Sequence, residues 1–220
     1  MLDLLKPLIG RKVLLEISGN KRIIGILIDI GADLLVVFDG KDYNYISNAH
    51  VHYCLSVDDD SMELPEKPSE IEIEDELSLR KVLSYAKGSF VEILVNGNEY
   101  IHGYISSLMN NYFTFYTPLY KNIFISIHHL KIVRPYPLGK TPYSLTSQQL
   151  PLHPTTNSLA RTFEVQLNRY VDQLVVFNLG EKEISVGKLE DIKNNIVKFK
   201  LAKGGQAFIN LQHIKSFYIP

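Results

Sequence analysis

Five of the seven histidines invite a metal reading. His50 and His52 stand two apart on one face of an expected strand, while His128-His129 and His213 recur further along the chain. Their spacing matches no compact zinc or copper site. Histidines at equivalent places of separate units belong to separate places, so the favoured reading is a polar residue packing or capping a tight turn between two strands. No metal and no cofactor is expected. Cys54 lies among apolar strand residues and reads as buried rather than nucleophilic. Gly204-Gly205 reads as a hairpin turn, since a glycine pair alone does not make a phosphate loop. Asp29, Asp33, Glu190 and Asp191 fall at strand ends, where carboxylates usually serve turns. With no nucleophile–base set among them, the chain reads as non-enzymatic. One binding pattern remains: Tyr112, Phe113, Phe115 and Tyr116 could form a base-stacking platform, with Lys198 and Lys200 alternating on another strand. Single-strand binders interleave aromatic and basic residues in this way, but strand alternation alone produces the same pattern. Nucleic-acid binding is therefore the alternative reading, and nucleic acid is not the expected partner.

The elements that would position these residues are repeated three times. Gly25, Gly103 and Gly187 each open an alternating apolar strand, and eight positions on stand Asp33, Asn111 and Asn195 in turn-forming contexts. His50, His129 and His213 follow their glycines by 25, 26 and 26 positions. The repeat starts lie 78 and 84 residues apart, longer than solenoid repeats of ~20–50 residues. Three units of roughly 55–60 residues joined by linkers fit better; units that small bury only ~60% of their unfolded surface, so contact between them matters for stability.

Each unit reads as a short helix followed by five bent antiparallel strands, and closing them into a small barrel would remove the sheet edges. The expected divisions are a first barrel at 1–57, an acidic linker at 58–76, a second barrel at 77–135, a proline-rich linker at 136–158 and a third barrel at 159–220. Between Val57 and Leu77 lie ten acidic residues and one base, Lys67, which reads as a solvated linker. The rest of the chain holds 22 basic and 14 acidic residues, a net charge of +8 spread without a basic tract. The single cysteine excludes an intramolecular disulfide, and no apolar run approaches the ~20 residues of a membrane span. With no signal-peptide pattern at the N-terminus, cytosolic synthesis is expected.

A short helix, then five bent strands with a glycine midway along the second and Asp or Asn at the next turn, resembles the Sm-like barrel. In RNA-binding members of that fold, uridine contacts come from two loops bearing short signature motifs, which this chain lacks, so RNA binding does not follow from the barrel. The closing motifs Ile209-Asn210-Leu211-Gln212-His213-Ile214-Lys215-Ser216 and Ile125-Ser126-Ile127-His128-His129-Leu130-Lys131 are similar to one that recurs in the spore coat protein B family of endospore-forming bacteria. Two departures stand out: strand-joining turns without Gly-Gly-Pro, and no long Ser/Lys-rich tail. The resemblance implies a structural spore-coat protein of tandem Sm-like barrels, made in the mother-cell cytoplasm, with other coat proteins as partners. In Sm-like rings the last strands of neighbouring barrels pair, so the three barrels are expected to pair with one another or, in a homo-oligomer, with another copy.

Overall fold

The computed structural model describes residues 2–57, 77–137, 139–146, 149–150, 158–180 and 182–220. The acidic stretch 58–76, Pro151 and Pro154 lie outside them. The fold is mainly β: among the described residues fifteen strands pair antiparallel without closing, with a few short helices. The first repeat contains α1 (Leu2–Leu5), β1 (Lys12–Ile17), β2 (Lys21–Ile30), β3 (Leu34–Phe38), β4 (Tyr43–Ser47) and β5 (Val51–Ser56). The second contains α2 (Leu79–Tyr85), β6 (Phe90–Leu94), β7 (Ile101–Leu108), β8 (Tyr112–Thr117), β9 (Lys121–Ser126) and β10 (Ile132–Pro135). The third contains α3 (Phe163–Asn168), β11 (Leu174–Phe177), β12 (Val186–Lys193), β13 (Ile196–Lys200), β14 (Gln206–Asn210) and β15 (Ser216–Tyr218).

The contacts gather the chain into two compact units. One comprises Met1–Ile101 with Leu130–Lys140, and the other His102–His129 with Thr141–Pro220. The boundary falls inside the second repeat. In the first unit the strand order is β6-β10-β4-β3-β2-β1-β5, and in the second β14-β13-β12-β11-β15-β9-β8-β7. Among the described residues no fourth strand pairs with its own repeat's fifth; instead, β4 pairs with β10 and β9 with β15. Edge protection comes from the neighbouring repeat, which satisfies the same backbone groups that a closed barrel would.

The repeat-defining glycines have a common cause. A Cβ on Gly25, Gly103 or Gly187 would lie 2.2, 1.9 or 2.3 Å from the carbonyl oxygen of Phe38, Tyr116 or Lys200, respectively. Each second strand thus lets the end of the third strand approach where any side chain would block it. Three residues beyond each glycine the ladder slips, between Leu27 and Asp29, Ile105 and Ser107, and Leu189 and Asp191. A bulge at the same place in every repeat bends the long strand across its sheet.

Each unit has its own core. In the first, Val13, Leu15 and Ile17 alternate inward from β1 and meet Leu35, Val37, Ile46, Leu94 and Ile132. In the second, Tyr112, Phe124, Phe163, Phe177, Phe199 and Phe217 form an aromatic centre. Among the described residues no helix is long and apolar enough to cross a membrane.

Candidate functional site

Two of the polar residues that recur in the sequence, Asp33 and Asn111, sit where one repeat meets the next. Asp33, at the turn between β2 and β3, accepts a hydrogen bond from the backbone amide of Leu79 at 2.7 Å. Asn111 Oδ1 accepts from the amide of Phe163 at 2.8 Å. Leu79 and Phe163 are the first residues of α2 and α3, whose amides have no partner inside the helix. Ser78 and Thr162 complete the two caps from within their own repeats, accepting from Lys81 and Val165. The backbone follows the same pattern: the Ala32 amide donates to the Leu77 carbonyl, and the Asn110 amide to that of Arg161. A residue read from sequence as a turn former is thus also the cap of the following repeat's helix. Asn195 occupies the third such position, at φ 61°, and caps no helix among the described residues.

The strand junctions match as well. Ile132 faces Ile46 and Val133 faces Tyr45 at the first, while Ser216 faces Ile125 and Phe217 faces Phe124 at the second. Counted from His50, His129 and His213, these are the same register positions. The Ser47 amide donates to the Lys131 carbonyl at 2.9 Å and the Ser126 amide to the Lys215 carbonyl at 2.9 Å, again at equivalent positions. Both junctions are buried: Ile46, Ile125, Ile132, Val133 and Phe217 are fully buried, and the Phe124 and Phe217 rings stack with centroids 4.6 Å apart.

Arg134, which nothing in the sequence pattern marks, secures the first junction. Its guanidinium reaches Asn44 Oδ1 at 2.8 Å, Asp39 at 3.2 Å and Glu92 at 3.3 Å, and lies 4.6 Å from the centre of the Tyr100 ring. Burial opposes ionisation of Asp39, but the amide of Asp42, the Asn44 side chain, the amide of Lys41 and Arg134 together hold its carboxyl below the usual value.

The histidines behave as turn residues. His50, His129 and His213 each end a three-residue 3-10 turn between fourth and fifth strands. His50 Nδ1 is 3.0 Å from Ser18 Oγ, and His129 Nε2 is 2.8 Å from the carbonyl oxygen of Gln212. The expectation that the three belong to separate places is corrected for two of them. His129 and His213, with His128, Asn111 and Asn195, line one cleft of about 860 Å³ in the second unit. Among the described residues the cleft is lined by one carboxylate, Glu164, and by no Lys or Arg, so they offer no fixed positive charge to a phosphate. Among the described residues no group of three or more His, Cys, Asp or Glu gathers as a metal site.

The proposed stacking platform is corrected more sharply. Tyr112, Phe113 and Phe115 are fully buried and Tyr116 nearly so, and they serve the core rather than a surface. Burial pushes the Tyr112 phenol up to about 12, and its hydroxyl donates to the Ala160 carbonyl at 2.7 Å. Lys198 lies 3.2 Å from Glu190, and Lys200 is exposed on the same strand.

A Bacillus subtilis (strain 168) protein bearing the name "Uncharacterized protein YwrJ" is 39% identical over 223 residues, covering 98% of this chain and 99% of that one. The chain belongs to the YwrJ family. Residues 162–217 match the family described as YwrJ third domain. That match begins at Thr162, the N-cap of α3, and ends at Phe217, the residue of β15 that stacks on Phe124.

Proposed function

We propose that the protein is a non-catalytic assembly protein of the spore coat, built from three tandem Sm-like repeats and acting through protein–protein contacts. The observation that carries this reading is the duplicated junction. Its recurrent Asp, Asn and closing-motif residues dock one repeat on the next, and the residues that could do chemistry are spent on caps, turns and cores. A small Sm-like barrel for each repeat accounts for the strand order fifth-first-second-third-fourth in the first repeat and for the bulge shared by all three. The coat as location, after synthesis in the mother-cell cytoplasm, rests on the closing-motif resemblance. The buried aromatic strand and the absence of Lys and Arg among the described residues lining the cleft weigh against the nucleic-acid alternative.

The test is recovery of tagged protein from sporulating cells, with bound protein and bound RNA both quantified. Coat proteins enriched without RNA are expected. RNA enrichment that disappears in high salt, with no coat protein recovered, would overturn the proposal.

A further inference from the structure

The two internal junctions use up every fourth and fifth strand but two. Among the described residues β5 pairs only with β1, and β14 only with β13, so one fifth strand and one fourth strand end the sheet unpaired. We propose that these edges are made for each other in different copies: β14 of one chain pairs with β5 of a second copy. The inference rests on the assembly reading above and names its partner.

The internal junctions fix the register. Residues four and five before the closing histidine face residues three and four after the following repeat's histidine, as in Ile46 with Ile132 and Phe124 with Phe217. The same rule places Ile209 opposite Tyr53 and Phe208 opposite Cys54 of the second copy. It also aims the Asn210 amide at the His52 carbonyl, the bond that Ser47 and Ser126 make internally.

Burial singles out the same residues. Phe208 is the counterpart of Phe124, yet Phe208 is 66% exposed where Phe124 is 5%. On the other edge Leu55 is 53% exposed, next to Cys54. Natural edge strands are usually blunted by Lys, charge or Pro. Neither Gln206–Asn210 nor Val51–Ser56 contains Lys, Arg, Asp, Glu or Pro. An aromatic ring facing a thiol is a favourable contact in its own right. Because the two edges differ, the contact is head-to-tail and passes from copy to copy until it closes.

Cys54 is the chain's one cysteine, so the register can be read directly. In the full-length protein, Phe208→Cys should give disulfide-linked copies under mild oxidation, whereas Phe208→Cys with Cys54→Ser and the out-of-register Ala207→Cys should not. The wild-type chain should show a mass above the monomer in sedimentation, and Phe208→Arg should return it to monomer with an unchanged circular dichroism spectrum, since Phe208 packs in neither core. Three results would overturn the pairing: a wild-type monomer throughout the micromolar to millimolar range, a disulfide formed within one chain, or equal cross-linking of Ala207→Cys. A monomer that still recovers coat proteins from cells would remove the self-pairing and leave the assembly reading standing.

Discussion

Replacing Arg134 with Met keeps much of the side-chain volume and removes the charge from the first junction. Three carboxylates converge on this guanidinium: Asp39 at 3.2 Å, Glu92 at 3.3 Å and Asp42 at 3.7 Å, and the arginine side chain is only 18% exposed. Hydrogen bonds to charged groups contribute ~1.5–3 kcal/mol each when shielded, but partial exposure discounts them, so the whole cluster is worth about 2 kcal/mol. For a chain of this size that corresponds to a melting temperature lower by about 4–8 °C. The loss should depend on pH. Asp39 has a lowered folded pKa, so its stabilisation is present above the ordinary value of about 4 and is lost as pH falls through the lowered one. The gap between wild type and Arg134→Met, followed by far-ultraviolet circular dichroism, should therefore narrow in acid. A variant melting within about 1 °C of wild type at neutral pH, as expected of an ordinary surface arginine, would refute the reasoning. So would a gap that stays constant from about pH 7 to about pH 3.

Gly25→Ala, Gly103→Ala and Gly187→Ala should each destabilise by at least ~1–3 kcal/mol in denaturant titrations, because the new Cβ meets a backbone oxygen rather than a yielding side chain. Asp33→Ala and Asn111→Ala should each cost about 1 kcal/mol through the lost helix cap, whereas Asn195→Gly, which removes the same kind of side chain at a positive φ that glycine accepts, loses no cap. In an ultraviolet titration Tyr112 should remain protonated until about pH 12. Its neutral form is favoured by folding, so the stability it supplies is complete below the ordinary tyrosine value of ~10 and vanishes as pH rises through about 12. Ionisation of every tyrosine of the folded chain by about pH 11 would contradict its burial.

Much of the fold can be read from local pattern. Turn residues and apolar alternation locate nearly every strand to within a few residues, because those signals depend on neighbours along the chain. The glycines were legible as repeat markers, although only the sheet shows that they admit a carbonyl. Strand partners were not legible. The choice between Ile132 meeting Ile46 and a closed barrel depends on residues far apart in sequence, and periodicity is the same for both. The site follows the same division. Asp33 and Asn111 stood out by recurrence, whereas Arg134 occurs once and its partners come from three separate stretches. The aromatic run Tyr112–Tyr116 misled because a strand buried on both faces and an exposed stacking platform use the same residues.

The exchange of strands between repeats also sets a timetable for synthesis. β9 leaves the ribosome well before β15, which covers its open edge and lies roughly 90 residues further on. At elongation rates of ~5–20 residues per second, the apolar edge carrying Phe124 and Ile125 waits about 5–20 seconds for its partner. The first unit is likewise incomplete until β10 has been made, after three strands belonging to the second unit have already emerged. The nascent chain thus passes through a period in which paired and unpaired strands alternate along its length. Slower elongation between residues 126 and 216 should lower the soluble yield without altering the finished protein.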